Sequence, residues 1–501
     1  QMESYRKSIA ASLISKIFGA GLSIVALPIY IKILGAEAYG LVGLLTSLQV
    51  FLAFLDFGLA NTLTRQLATY SALPSYRQYE RNLMKTFELT HLSITTLIGI
   101  VLIFLAPIFV AKWVNPVALT ESEIYYSSLL GAFALAAQWP INFYSAAMTG
   151  VHRQYELAIN NGFFSIFRVS STLIILNLQP NLPNFFWAQI LASILQATTM
   201  HFQIWHHLPC LNHKAVFKTN LLKEQKHFAG AMTLLTLTGV FLTQLDKIIL
   251  SRILSLADFG FYAFCAAITA GLYITIGSLF SVIYPRFVMI LQTKSQADLS
   301  KFYHSSAQLM TLLIFPAAIT LSAFPNQALF VLIGNHSFDI NSGLILSFLL
   351  MGTALNGAMT VPYALQLAAG WTKLTIVINL VAILILCPLT WWLAHRWGAV
   401  GGAFVWFSLN FGYFLITPHL MHRRLLSSEK LNWYHNDTIK PIVMICISIA
   451  AFSTITPATN LTRGWTLLYL ALCFLVATAS AFAVSTQIRR EGWFYIKNRM
   501  T

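Results

Sequence analysis

Apolar runs of roughly 18 to 27 residues recur along the whole 501-residue chain, each long enough to cross a hydrocarbon layer of about 30 Å at 1.5 Å per helical residue. Inside such a layer backbone N–H and C=O groups must bond to one another, so only helices and closed barrels are available. Barrel strands alternate apolar and polar residues, whereas these runs are apolar throughout, which leaves helices. The chain is therefore expected to be an all-α, polytopic integral membrane protein of about fourteen transmembrane helices. The first half places them near Ile9–Leu34, Tyr39–Thr64, Thr86–Ala111, Ile124–Met148, Leu157–Leu178, Leu182–Trp205 and Phe228–Ser251. The second half places them near Phe259–Tyr284, His304–Phe324, Asn341–Ala369, Leu374–Leu393, Val400–Met421, Ile439–Pro457 and Trp465–Thr486. The first run is too long for a signal peptide and carries Lys16 in its middle, so it is expected to stay as a helix.

Only 9% of the residues are charged, against about a quarter in a soluble domain. The net charge of +15 invites a nucleic-acid reading, and the placement of that charge rejects it. With the N-terminus inside, the inner connections hold roughly 23 of the 31 Lys and Arg, among them Arg65, Arg81, Arg286, Arg423 and Arg490. The opposite connections hold about five: Lys32, Lys112, Arg252, Arg396 and Arg463. This is the positive-inside pattern, and it puts both termini in the cytoplasm with anionic headgroups, not nucleic acid, facing the basic residues.

Cys210, Cys265, Cys387, Cys446 and Cys473 stand alone and read as small buried hydrophobes, with neither a disulfide nor a zinc site implied. No GxxxxGK[ST] loop, HExxH or GxSxG is present, and Glu121 and Glu123 around Ser122 read as a solvated loop face. No enzyme, metal or cofactor is expected.

A repeat is visible at a spacing of about 220 residues. Lys32–Gly40 reads KILGAEAYG and Arg252–Gly260 reads RILSLADFG. Leu63-Thr64-Arg65 corresponds to Tyr284-Pro285-Arg286, Ala106-Pro107 to Phe324-Pro325, and Gly150 with Arg153 to Gly370 with Lys373. The expected organisation is an N-terminal lobe over 1–206, a cytoplasmic linker over 207–227, a second six-helix lobe over 228–421, and a loop with two extra helices over 422–501. An even number of helices per repeat keeps the orientation, so the lobes are pseudo-symmetric about the membrane normal and suited to rocking about a central cavity.

Charges within spans cost a few kcal/mol and so mark interior or functional positions. They are Lys16, Asp56, Glu88, Arg168, Asp246 and Lys247. Lys16 and Asp56 lie at similar depth, roughly 10 Å from the inner end, and are placed to pair. Glu88 and His91, about one turn apart, are a candidate proton-sensitive or interfacial pair. Asp246 and Lys247 point about 100° apart and are not expected to share a partner; Lys247 either meets the cavity or snorkels. Arg168 lies roughly 16 Å into its helix, near the midplane, where it either meets a substrate phosphate or pairs with Asp56 or Asn142.

Pro28 through Arg65, PIYIKILGAEAYGLVGLLTSLQVFLAFLDFGLANTLTR, resembles the N-terminal signature of the Wzx-type O-antigen flippases of the multidrug/oligosaccharidyl-lipid/polysaccharide (MOP) exporter superfamily, through Pro28, Leu34, Gly35, Tyr39, Gly40, Asp56, Gly58 and Leu59. QLDKIILSRILSLADFGFYAF around Asp246 is similar to the entry to that family's second lobe. The resemblance implies a MATE-like fold in the bacterial inner membrane. It implies movement of an undecaprenyl-pyrophosphate-linked oligosaccharide to the periplasmic leaflet by alternating access coupled to H⁺ or Na⁺. Carried onto this chain, Arg168, Lys16 and Lys247 hold pyrophosphate and Asp56, Asp246 or Glu88 takes the coupling ion. Gln49, Gln138, Asn142, Asn160 and Gln244 contact sugars, Arg65 and Arg286 form the cytoplasmic rim, and the last two helices offer a groove for the polyprenyl tail. Membrane lipids and other polysaccharide-assembly proteins are the implied partners. The rivals are a multidrug antiporter and a peptidoglycan-precursor flippase of the same superfamily, and a glycan-joining membrane enzyme.

Overall fold

The computed structural model describes residues 2–70, 76–208, 214–293, 295–334, 340–454 and 462–490; along parts of some helices it describes only the backbone. Lys16 is one such residue, so its side chain lies outside the described set. Among the described residues every regular element is a helix, apart from one isolated bridge between Asn115 and Ser255. Eight helices there are long and apolar enough to cross a membrane. Their flanks show why water cannot be the only solvent: Phe104 is 71% and Leu384 76% exposed, a cost in water and none in lipid.

The chain divides into two compact units, Gln1–Phe264 and Cys265–Thr501. The first contains α1 (Met2–Leu34), α2 (Ala36–Leu52), α3 (Leu59–Tyr70), α4 (Arg77–Trp113), α5 (Glu121–Gly150), α6 (Gln154–Leu178), α7 (Leu182–His207), α8 (Thr219–Ile253) and the start of α9 (Leu256–Thr293). Helix α8, expected to open the second lobe, packs on α2, α3 and α4 and groups with the first unit.

The second expected span is not one helix. It breaks after a 3₁₀ turn at Ala53–Asp56, where Phe57 (φ 50°) and Gly58 (φ 67°) take the left-handed conformation that ends helical bonding. Asp56 then caps α3, its Oδ2 accepting from the Ala60 N–H at 2.8 Å, as a carboxylate does at a helix N-terminus. The break therefore turns an in-span charge into the start of a new helix.

The sequence repeat has a physical counterpart inside this unit. A Cβ on Gly40 would lie 2.1 Å from the Leu256 carbonyl oxygen, and one on Gly260 2.2 Å from that of Ala36. Ala36 and Leu256 hold the same place in the two repeated segments, so the contact reads the same from either side. Only glycine lets helix backbones meet this closely. The neighbouring connections fasten the crossing: Asn115 Nδ2 donates to the Arg252 carbonyl at 2.7 Å, Arg252 Nη1 donates to the Trp113 carbonyl at 2.9 Å, and the Glu37 carboxylate accepts from the N–H groups of Val117, Ala118 and Leu119.

The second unit continues from α9 through α10 (Gln296–Ala323), α11 (Pro325–Ile333), α12 (Ile340–Ala368), α13 (Lys373–His422), α14 (Lys430–Asn432), a π-helical stretch Trp433–Ile439, α15 (Lys440–Ser453) and α16 (Arg463–Val484). Residues eight apart in a continuous helix are about 12 Å apart along its axis. A Cβ on Gly401 would nonetheless lie 2.3 Å from the Leu393 carbonyl oxygen. The chain therefore doubles back at Gly398 (φ 55°, ψ −133°), and α13 holds two of the expected spans.

Candidate functional site

The middle of helix α7 carries a polar stripe, Gln189, Ser193 and Gln196, spaced four and three residues apart so that all three face α6. Arg168, halfway along α6, meets that stripe. Its Nη1 donates to Gln189 Oε1 at 2.9 Å and to Ser193 Oγ at 3.0 Å, and its Nη2 to Gln196 Oε1 at 3.2 Å. Both glutamines are held in turn: Gln189 Nε2 donates to Thr172 Oγ1 at 3.1 Å, and Gln196 Nε2 to Asn161 Oδ1 at 3.1 Å. Every one of these acceptors is neutral. Among the described residues no carboxylate pairs with Arg168, and its side-chain acceptors are Gln189, Ser193 and Gln196, so neither Asp56 nor Asn142 is its partner. The guanidinium is oriented without being neutralised, which preserves its attraction for an anion.

Arg168 forms part of the wall of a cavity of about 200 Å³ shared with Gln49, Gln138, Gln189, Tyr30 and Phe185. Three residues singled out in the sequence, Arg168, Gln49 and Gln138, thus line one space, although they come from α6, α2 and α5. The glutamine stripe of α7 was not singled out. Its signal, a polar residue every three to four positions in an otherwise apolar stretch, is plainly present in AQILASILQ.

The in-span acids lie elsewhere in the first unit, and the expected pairs are redrawn. Glu88 and His91 do not bond to each other, because successive turns of α4 present them to different neighbours. Glu88, 2% exposed, accepts from Tyr144 Oη at 2.9 Å and Trp205 Nε1 at 3.2 Å, and lies 2.8 Å from His201 Nδ1. His91 Nδ1 is 3.0 Å from Asp56 Oδ1, and its ring stacks on Phe143. Asp56 is thus engaged by His91 and Ala60. Asp246 and Lys247, expected to face different partners, also touch each other. The lysine curls back to donate to the Thr243 carbonyl at 3.0 Å, which brings Nζ within 3.4 Å of Asp246 Oδ1, while Tyr262 Oη donates to Oδ2 of the same acid. The length of the lysine stem overcomes the angular offset between adjacent residues.

The other candidates scatter. Asn160 donates to Thr199 Oγ1 and Gln203 Oε1, both at 3.2 Å, Gln244 is buried, and Asn142 is exposed. Arg65 is exposed, and Arg286 lies over the Phe302 ring at 4.7 Å.

The second unit holds a buried cluster that the sequence did not announce. His304 of α10 faces two acids, Asp437 through Nδ1 and Glu429 Oε2 through Nε2, the latter at 3.0 Å. Gln308 completes it, donating to Asp437 Oδ1 at 2.9 Å and accepting from the Gln487 N–H at 3.0 Å.

The sequence profile of a family described as "Polysaccharide biosynthesis protein" matches residues 5–291, more than half of the chain. The chain belongs to that family. A Shigella flexneri protein provisionally named an O-antigen transporter is 20% identical over 373 residues, covering 74% of this chain and 87% of its own. Among solved structures, the lipid II flippase MurJ in an inward closed conformation superposes with a TM-score of 0.67 at 12% identity, over 96% of this chain and 98% of its own. An inward-facing multidrug resistance transporter of the MATE family and MOP superfamily gives 0.62 at 11% identity, over 83% of this chain and 98% of its own. This family member therefore shares the fold of these solved proteins, and its long apolar helices make it a multi-pass membrane protein.

Proposed function

We propose that the protein is a flippase for a lipid-linked oligosaccharide, carrying an O-antigen or related polysaccharide unit on undecaprenyl pyrophosphate from the cytoplasmic to the periplasmic leaflet by ion-coupled alternating access. The observation that carries this reading is Arg168: a guanidinium at membrane depth, fixed by three neutral groups and open to a cavity lined by amides. An unpaired cation there costs several kcal/mol unless something anionic uses it. A pyrophosphate-bearing or otherwise acidic glycan is such a cargo, and a cationic drug is repelled. The family membership, the named activity of the Shigella relative and the lipid II flippase among the structural neighbours all support a saccharide-bearing lipid.

On this reading both termini are cytoplasmic, Gln49 and Gln138 meet sugar hydroxyls, and Asp56, Glu88 or Asp246 takes the coupling proton or sodium ion. The test is reconstitution of the purified protein into vesicles with a defined undecaprenyl-pyrophosphate-linked glycan under imposed proton or sodium gradients. Protein-dependent flipping that accelerates with one gradient, and loses that dependence in Asp56→Asn or Asp246→Asn, is the expected result. Glycosyl transfer with no translocation would overturn the reading.

A further inference from the structure

We infer that the cavity beside Arg168 is a subsite for a single sugar ring bearing one negative charge, the carboxylate of an acidic sugar, and not a seat for pyrophosphate. This rests on the flippase reading and narrows its substrate class.

Size is the first argument. Sites for whole drug-sized ligands run to about 300–1,000 Å³. At about 200 Å³ this cavity takes one ring-sized group and leaves the rest of an oligosaccharide outside.

The second is the chemistry of the walls. Gln49 and Gln138 each present an amide with two donors and a carbonyl acceptor, while the Gln189 amide is taken up by Arg168 and Thr172. Sugar hydroxyls both donate and accept, so they match both ends of each amide. Phosphate oxygens only accept, and would set oxygen against amide oxygen wherever a glutamine turned its carbonyl inward. Gln49 and Gln138 form no hydrogen bond with a described side chain or backbone group, so their amides are free for a ligand. Tyr30 and Phe185 supply apolar ring surface for the C–H face of a pyranose.

The third is the count of charges and donors. Arg carries five N–H donors, and α7 takes three from Arg168. The remaining two, one on Nη2 and one on Nε, suffice for one carboxylate. A pyrophosphate diester carries two negative charges, and among the described residues Arg168 is the sole cation lining the cavity. The α7 stripe therefore both aims the guanidinium and caps how much anion it can satisfy.

The experiment is saturation-transfer NMR on the full-length protein in lipid nanodiscs, with glucuronate, glucose and inorganic pyrophosphate as probes. The expected result is a glucuronate signal at least roughly tenfold above that of glucose, unaffected by pyrophosphate. It should be lost in Arg168→Gln, reduced in Gln138→Leu and partly kept in Arg168→Lys. Equal signals from glucose and glucuronate, or displacement of glucuronate by pyrophosphate, would overturn the inference. The wild-type comparison decides the matter even where a variant does not fold. Flipping of a lipid-linked glycan that requires Arg168, without glucuronate binding, sinks the subsite and leaves the flippase standing. Glucuronate binding without any flipping does the reverse.

Discussion

Two buried polar sites in this molecule handle charge in opposite ways. In the second unit, His304 is clasped by Asp437 and Glu429, with Gln308 tying the acid to the chain after α16. One imidazole there meets two carboxylates, so the histidine's charge is answered by the protein itself. In the first unit, Arg168 is held as firmly, by three hydrogen bonds, yet by partners that carry no charge. The first arrangement fastens α10 to the segment before α15. The second keeps a cation available beside a cavity. A buried charge thus signals function when its partners position it without cancelling it, and architecture when they cancel it.

The contrast between the two sites is sharpest at Asp437. Removing one partner of a buried ion pair costs about 3–5 kcal/mol because the other charge stays behind. Asp437→Ala is therefore expected to lower folded yield and thermal stability sharply, as read by fluorescence-detected gel filtration across a temperature ramp. Unchanged stability would place the cluster on the functional side of the contrast.

A smaller effect, about 1–3 kcal/mol, is expected where both helix backbones must part. Gly40→Val drives a branched side chain into the Leu256 carbonyl, and the same ramp should show the loss, with Gly260→Val matching it because the contact is symmetric. Unequal losses would deny that symmetry.

Gln189→Leu removes an acceptor from the Arg168 guanidinium and strands a donor, a cost of about 1–3 kcal/mol. Its expected mark is roughly a tenfold fall in flipping at unchanged expression. A loss of expression instead would make the α7 stripe structural.

The smallest change concerns Glu429. Burial pushes its carboxyl up, but hydrogen bonds from His304, Ser300 and Asn432 outweigh that and hold it below the usual range. A depressed acid adds stability above its unfolded value and loses it as pH falls through the folded one. Glu429→Gln should therefore flatten the acid side of the stability–pH curve by no more than about 1 kcal/mol.

The helical membrane architecture was legible because hydrophobic length is written residue by residue. The repeat was legible too, since its glycines recur where two backbones must touch. Arg168 stood out because charge at depth is rare. What stayed hidden was pairing, which depends on rotation about helix axes and on how far a side chain bends. Glu88 turned from His91 to Tyr144 and His201, Lys247 curled onto Asp246, and a left-handed Phe57-Gly58 broke a run that composition made continuous. His304 and Asp437 are 133 positions apart, and no local pattern links them.

The most direct test is the rate at which vesicles containing Arg168→Ala flip an undecaprenyl-pyrophosphate-linked acidic glycan, relative to wild type and Arg168→Lys. If Arg168 is the seat of the cargo's anion, Arg168→Ala stays folded but is slowed roughly 30-fold or more, an interaction of about 2 kcal/mol or greater, with partial recovery in the lysine variant. Wild-type flipping in Arg168→Ala would contradict it.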